Sequence, residues 1–229
     1  MFRSLEKPSV YYRLWLADTV SMIGGTLGIV IIISTFIGAV TTLQTAYQLV
    51  SSLVPNKVIG SVVSASTLLE LSPTVMTFII AGRIGSQIAS EIGTMRVTEQ
   101  IDALEVMGIN SQAYLVLPKI LAGLVSLPVL VTVSAFVAHA GGLIAGDISG
   151  EVTAAEFTQG IQEYFEPFQV SVMYVKAFTF GFLITTVSAY QGFFTQGGAL
   201  EVGASSTRAV VYSCLTMVIA DYVIAALML

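Results

Sequence analysis

Long uncharged apolar runs alternate with short charged segments along this chain. From Thr19 to Asn56 there is no charged residue. A helix crossing the roughly 30 Å of bilayer hydrocarbon needs about 20 residues at about 1.5 Å each, so this run alone is long enough to span. Four more apolar runs follow, and together they predict spans at residues 26–52, 73–90, 115–146, 169–193 and 205–229 of one domain, 1–229. Residues 1–25 differ, mixing Arg3, Lys7 and Arg13 with Tyr11, Tyr12 and Trp15. Bases at headgroup level and rings at the boundary predict an interfacial helix. A cleavable signal peptide fits poorly, because the apolar run is too long and lacks a small-x-small site after a short core. The fold class expected is an all-α integral membrane protein: an N-terminal interfacial helix, about five transmembrane helices and a cytoplasmic coupling helix.

Polar positions inside the runs carry the candidate chemistry. Thr41, Gln44, Thr45, Gln48 and Ser52 recur at three- and four-residue steps and share one face of the first span. That face either hydrogen-bonds to other helices or walls a cavity for a polar headgroup. Ser72-Pro73 reads as a helix start, with residues 58–70 a separate helical piece, or else as a kink in one long helix. Glu70 beside that break is a functional-site candidate, or a carboxylate reaching to the interface. Gly82, Ser86 and Ser90 form one small-residue ladder and Gly85, Ala89 and Gly93 another, a pattern that lets helices approach closely. Arg83 and Glu91 project from similar faces and read as anchors of the cytoplasmic end.

Residues 94–107 continue from the second span as an amphipathic helix ended by Gly108. Val97, Ile101, Leu104 and Met107 make its apolar stripe, and Glu99, Asp102 and Glu105 its acidic one. Helices lying on lipid carry Lys and Arg on the polar face, so an acidic face points to a protein partner. Further along, His139 stands among Val, Ala and Gly with no second ligand at helical spacing, and reads as packing. Lys176 and Asp221 lie at matching depth, roughly 10–12 Å from the outer ends of their spans at 1.5 Å per residue. Matching depth and opposite sign suggest a buried ion pair.

Composition confirms the class: of 229 residues 55% are hydrophobic and 10% charged, with mean hydropathy +0.87, far from soluble domains. The net charge of −5 argues against a nucleic-acid partner. The lone Cys214 excludes an intrachain disulfide and reads as a small buried hydrophobe. No nucleophile–base pair, metal-ligand cluster or phosphate-binding loop is visible, so neither catalytic nor metal-ligating residues are expected. Residues 147–166 carry five acids and no base, which places them outside. Most Lys and Arg fall on the opposite side, putting the N-terminus and residues 94–107 in the cytoplasm.

The segment LLELSPTVMTFIIAGRIGSQIASEIGTMRVTEQIDALEVMGIN, then YLVLPKILAG, then GASSTRAVVYSCLTMVIADYVIAALML, resembles the MlaE (YrbE) family of ABC-transporter permeases over nearly the whole chain from Tyr11. The resemblance implies a homodimeric, multi-pass permease in the bacterial inner membrane. It implies an ATPase dimer on the cytoplasmic side that carries ATP and Mg, so that this chain binds no cofactor and is not itself an enzyme. It also implies a ring of MCE-domain proteins on the periplasmic side and phospholipid as cargo, moved between the inner membrane and the outer membrane or cell envelope. Glu70, Gln44, Tyr47, Lys176 and Asp221 would surround the headgroup, with Leu43 and Leu71 near the acyl chains. The ATPase would push on Glu99, Ile101, Asp102, Leu104, Glu105 and Met107. In the family the segment before the second span reads R-E-L-G-P; here Leu69 stands in place of the Arg, and Lys176 is the nearest cation. The competing readings are a permease for a sterol, glycolipid or mycolate, and a non-transporting scaffold that recruits a soluble partner.

Overall fold

The computed structural model describes residues 8–49 and 55–228, and among them the regular secondary structure is helical, with no strand. The helices are α1 (Pro8–Gln48), α2 (Lys57–Val97), α3 (Gln100–Val106), α4 (Ser111–Ser149), α5 (Ala154–Glu163), α6 (Pro167–Phe193) and α7 (Ala199–Met228). Five of them, α1, α2, α4, α6 and α7, are long and apolar enough to cross a membrane. The chain is an all-α integral membrane protein. Arg3, Lys7 and Ser52 of the sequence reading lie outside the described residues, as does Leu229.

Three boundaries differ from expectation. The interfacial helix and first span, expected as 1–25 and 26–52, are one helix of 41 residues, about 60 Å long at 1.5 Å per residue. No proline interrupts α1 after its first residue, and the last charge before its apolar run, Asp18, is met by Lys119 at 3.3 Å. The second span does not begin at Pro73: α2 runs through it from Lys57, widened to π-helical turns at Thr67–Val75 and Ala81–Gly85. Such turns absorb a proline that an α-turn would reject. Conversely, residues 94–107 are not one helix. α2 ends at Val97, Glu99 takes left-handed backbone (φ 60°), and α3 starts at Gln100.

The chain forms two compact units, 27–77 with 129–176, and 8–26 with 78–128 and 177–228. In the first, α5 packs on the start of α2 at a crossing made possible by glycine on both sides. A Cβ at Gly60 would strike the Phe157 backbone, and one at Gly160 the Lys57 backbone. Phe157 is buried there with Ala46, Ile59, Val63 and Val152. Lys57 Nζ donates to both Glu163 carboxylate oxygens at 2.8–2.9 Å. α5 itself starts from a reciprocal cap: Glu156 N–H donates to Thr153 Oγ1, while the Thr153 N–H and hydroxyl donate to the Glu156 carboxylate. Those two bonds hold the Glu156 carboxyl below its usual pKa. A chain of hydroxyls, Ser34 to Ser134 at 2.9 Å and Ser134 to Ser72 at 3.3 Å, ties α1, α4 and α2 beside Pro73.

In the second unit, α2 packs on α7. The ladder Gly85, Ala89 and Gly93 is consumed by packing: Gly85 faces Ser188, Ala89 lies against Gly192, and Gly93 meets Thr195 and Val202. The other ladder, Gly82, Ser86 and Ser90, lines an open groove with Gly203, Ser206 and Thr207.

Candidate functional site

A buried ion pair in the spans gathers at Pro73. In an α-helix the Leu69 carbonyl would accept from the N–H at position 73, and proline has none. Lys176 Nζ, on α6, donates to that carbonyl at 2.8 Å and to Glu70 Oε1 at 2.8 Å. The Lys176 side chain is 0% exposed and that of Glu70 is 48% exposed. The ammonium is therefore held inside the unit by an opened helical turn and by a carboxylate that keeps one side free. Burying a lone ammonium costs several kcal/mol, and these two acceptors offset that cost. What the arrangement offers is a half-exposed carboxylate at Glu70, backed by a buried cation.

The structure thus brings two of the sequence candidates together directly. Leu71 is half-buried in the same widened turn. Leu43, Gln44 and Tyr47 are exposed on α1 of the same unit, and among the described residues no hydrogen bond joins Gln44 or Tyr47 to the Lys176–Glu70 pair. Thr41 and Thr42 instead bond back to the carbonyls of Ile37 and Gly38. Asp221 belongs to α7, in the other unit. His139 has both ring nitrogens engaged: Nδ1–H donates to the Ala135 carbonyl at 2.6 Å, and Ser64 donates to Nε2 at 3.1 Å.

At the junction of α2 and α4, α3 presents a second candidate surface. Ile101 is fully buried and anchors it, Leu104 is half-buried, and Glu99, Asp102, Glu105 and Met107 are exposed. Two of the acids are already engaged, Asp102 with Arg96 at 2.7 Å and Glu105 with the Ser111 hydroxyl at 2.8 Å. The most exposed apolar side chain there is Val106 at 89%, beside Met107 at 66%. Val106 falls between the two stripes, so the helical pattern does not single it out. Two exposed apolar side chains in an acidic rim suit a protein partner better than water.

A further polar cluster was legible only in part. Lys119, its side chain 6% exposed, bridges Glu91 at 2.9 Å and Asp18 at 3.3 Å, tying α4 to α2 and α1. Glu91 had been read as an anchor, and the partner that makes it one is Lys119.

The sequence profile of the family described as "Permease MlaE" matches residues 15–227. A probable ABC transporter permease protein of Rickettsia bellii is 36% identical over 221 residues, 96% of this chain and 85% of that protein. One of Synechocystis is 36% identical over 212 residues, 92% of this chain and 80% of its own length. The chloroplastic protein trigalactosyldiacylglycerol 1 of Arabidopsis thaliana is 34% identical over 199 residues, 87% of this chain and 57% of that protein. With the five membrane-crossing helices, these matches carry the assignment: this chain is a multi-pass membrane protein of the MlaE permease family.

Proposed function

We propose that this chain is the membrane-spanning subunit of an ABC transporter that moves phospholipids between the bacterial inner membrane and the outer membrane or cell envelope. It works as a homodimer with a separate ATPase dimer, which carries ATP and Mg, on the cytoplasmic face and a ring of MCE-domain proteins on the other. The observation that carries the reading is the Lys176–Glu70 pair, a fully buried ammonium behind a half-exposed carboxylate in a span. Ionisable groups inside spans mark transport pathways, and this pair joins two helices apolar enough to cross a membrane, a setting that suits a ligand with a polar head and hydrocarbon tails. Gln44, Tyr47 and Asp221 complete the headgroup surround in this reading, and Leu43 and Leu71 line the tails. The ATPase docks on α3 through Val106, Met107 and the acids Glu99, Asp102 and Glu105, with Ile101 and Leu104 holding α3 in place.

The test is ATP-dependent movement of labelled phospholipid by the complex purified through this chain and reconstituted in vesicles. Glu70→Ala and Lys176→Ala are expected to abolish movement while leaving the complex assembled; full activity in both would refute the site. Asp221→Ala is expected to abolish it too, with the Lys176→Ala/Asp221→Ala double variant no worse than either single one. Strictly additive losses would remove Asp221 from the pair.

A glycolipid is the second reading, favoured by the name of a galactolipid carried by the Arabidopsis relative. Mass spectrometry of lipid co-purified with the complex separates the two.

A further inference from the structure

The unit formed by residues 27–77 and 129–176 contains a recess of about 450 Å³ with no part in the site described above. Its wall comes from α2, α4, α5 and α6, chiefly Leu68, Ala135, Phe136, His139, Ile161 and Met173. Two small side chains, Ser64 and Ala135, are part of that wall. Phe136, 75% exposed, stands at its rim with the exposed Phe165. We propose that this recess holds one hydrocarbon tail of a membrane lipid.

Three observations lead to that occupant. The polar groups on the wall are already matched among themselves: Ser64 with His139, His139 with the Ala135 carbonyl, and Thr132 with Tyr174 at 3.1 Å. A polar ligand would find no unmet partner, and water needs two to four. Three of its walls, α2, α4 and α6, are long and apolar enough to cross a membrane, so lipid tails are the apolar species at hand. Finally, liquid water occupies about 30 Å³ per molecule and a methylene group is of similar size, so the space suits roughly 15 such groups. That is one tail, not two. The tail would lie close to the Lys176–Glu70 pair, since Leu68 directly precedes Leu69 and Met173 is one helical turn before Lys176, yet none of the three residues of that site lines the recess. The proposal therefore stands apart from the transport reading.

The experiment uses the full chain, with whatever partners copurify, in phosphatidylethanolamine and phosphatidylglycerol vesicles containing a phospholipid with a diazirine near the end of one acyl tail. Irradiation without ATP, followed by peptide mapping, is expected to label residues 132–139, 161–165 and 170–174 above the exposed face of α7, residues 211–223. Ala135→Phe fills the recess and should remove that excess while the α7 label persists. Ala135→Met serves as the milder filler, and size-exclusion profiles and thermal unfolding report folding of both. Labelling no greater than on α7 in the native chain, or excess labelling unchanged in a folded filler variant, overturns the proposal. So does crosslinking of these strips to a second copy of the chain in place of lipid. Because no ATP is present, the result is independent of whether Glu70→Ala abolishes transport.

Discussion

Gly160→Ala reverses the sign that helix propensity alone would give. In an open helix interior, alanine is more favourable than glycine by about 1 kcal/mol. At 160, however, the new Cβ would fall deep inside contact distance of the Lys57 carbonyl oxygen and 2.9 Å from its carbon, where ordinary contact begins at 3.4 Å. Both atoms are backbone, so no rotamer change relieves the clash; α5 and α2 would have to separate by roughly 1 Å, a gap that forfeits a quarter to a half of the dispersion well for each contact across it. Overpacking of this kind costs about 1–3 kcal/mol. Set against the propensity gain, the net expectation is a loss of roughly 1 kcal/mol, and Phe157 and the Lys57–Glu163 bridge would be displaced with it. The matched control is Gly203→Ala on α7, where a Cβ meets nothing within 4 Å and the expected change is neutral or stabilising by up to about 1 kcal/mol. Unfolding of the purified chain in mixed micelles with increasing SDS, followed by circular dichroism, measures both. Gly160→Ala as stable as the native chain, or more so, would refute the close crossing.

Lys119→Met is expected to cost about 2 kcal/mol, between the small value of an exposed pair and the 3–5 of a fully buried one, because Glu91 and Asp18 keep partial access to solvent; adding Asp18→Asn should recover part of it in the same SDS titration. Val106→Asp and Met107→Asp, at exposed positions, should leave stability within about 0.5 kcal/mol but depress lipid-stimulated ATPase activity of the assembled complex, and unchanged stimulation would remove α3 as the docking surface. Glu156 carries a lowered pKa when folded, so its contribution is present above the unfolded carboxyl pKa and is lost as pH falls through the folded one. The difference in thermal midpoint between the native chain and Glu156→Gln should therefore narrow from pH 6 down through the carboxylate range; a constant difference would count against the cap.

The spans were legible because hydrocarbon imposes a length and a composition that need no tertiary knowledge. Breaks were harder. Pro73 reads as a start because proline suits the first turn of a helix, but a π-helical turn is an equally good host. The side chain that meets the Leu69 carbonyl in that turn, Lys176, lies 107 positions away in sequence. Likewise, nothing in TMRVTEQID announces a left-handed residue, since Glu rarely takes φ > 0. The short α5 left a readable trace in the T-x-x-E of its cap, although the acids around it read only as placing the segment outside. Ion partners were the least legible: that Lys176 meets Glu70 follows from the direction of each side chain, which neither depth nor spacing supplies.

The break at Glu99 changes how a push on α3 would travel under the proposed coupling. A continuous helix from α2 would carry force along its own axis. Instead, α3 is joined to α2 through a single left-handed residue, and what crosses that joint is the Arg96–Asp102 bridge, which ties α3 back to the last turn of α2. On its other side the Glu105–Ser111 bond ties it to the first turn of α4. With Ile101 buried beneath it, α3 is held at three points and can tilt as a short lever between two helices rather than act as the end of one. The Lys119 cluster lies further along both, binding α4 to α2 through Glu91 and to α1 through Asp18, so displacement of either helix at that end is shared by all three. Under the proposed coupling, motion imposed on α3 would thereby be divided between two spans, which a single rigid helix could not do.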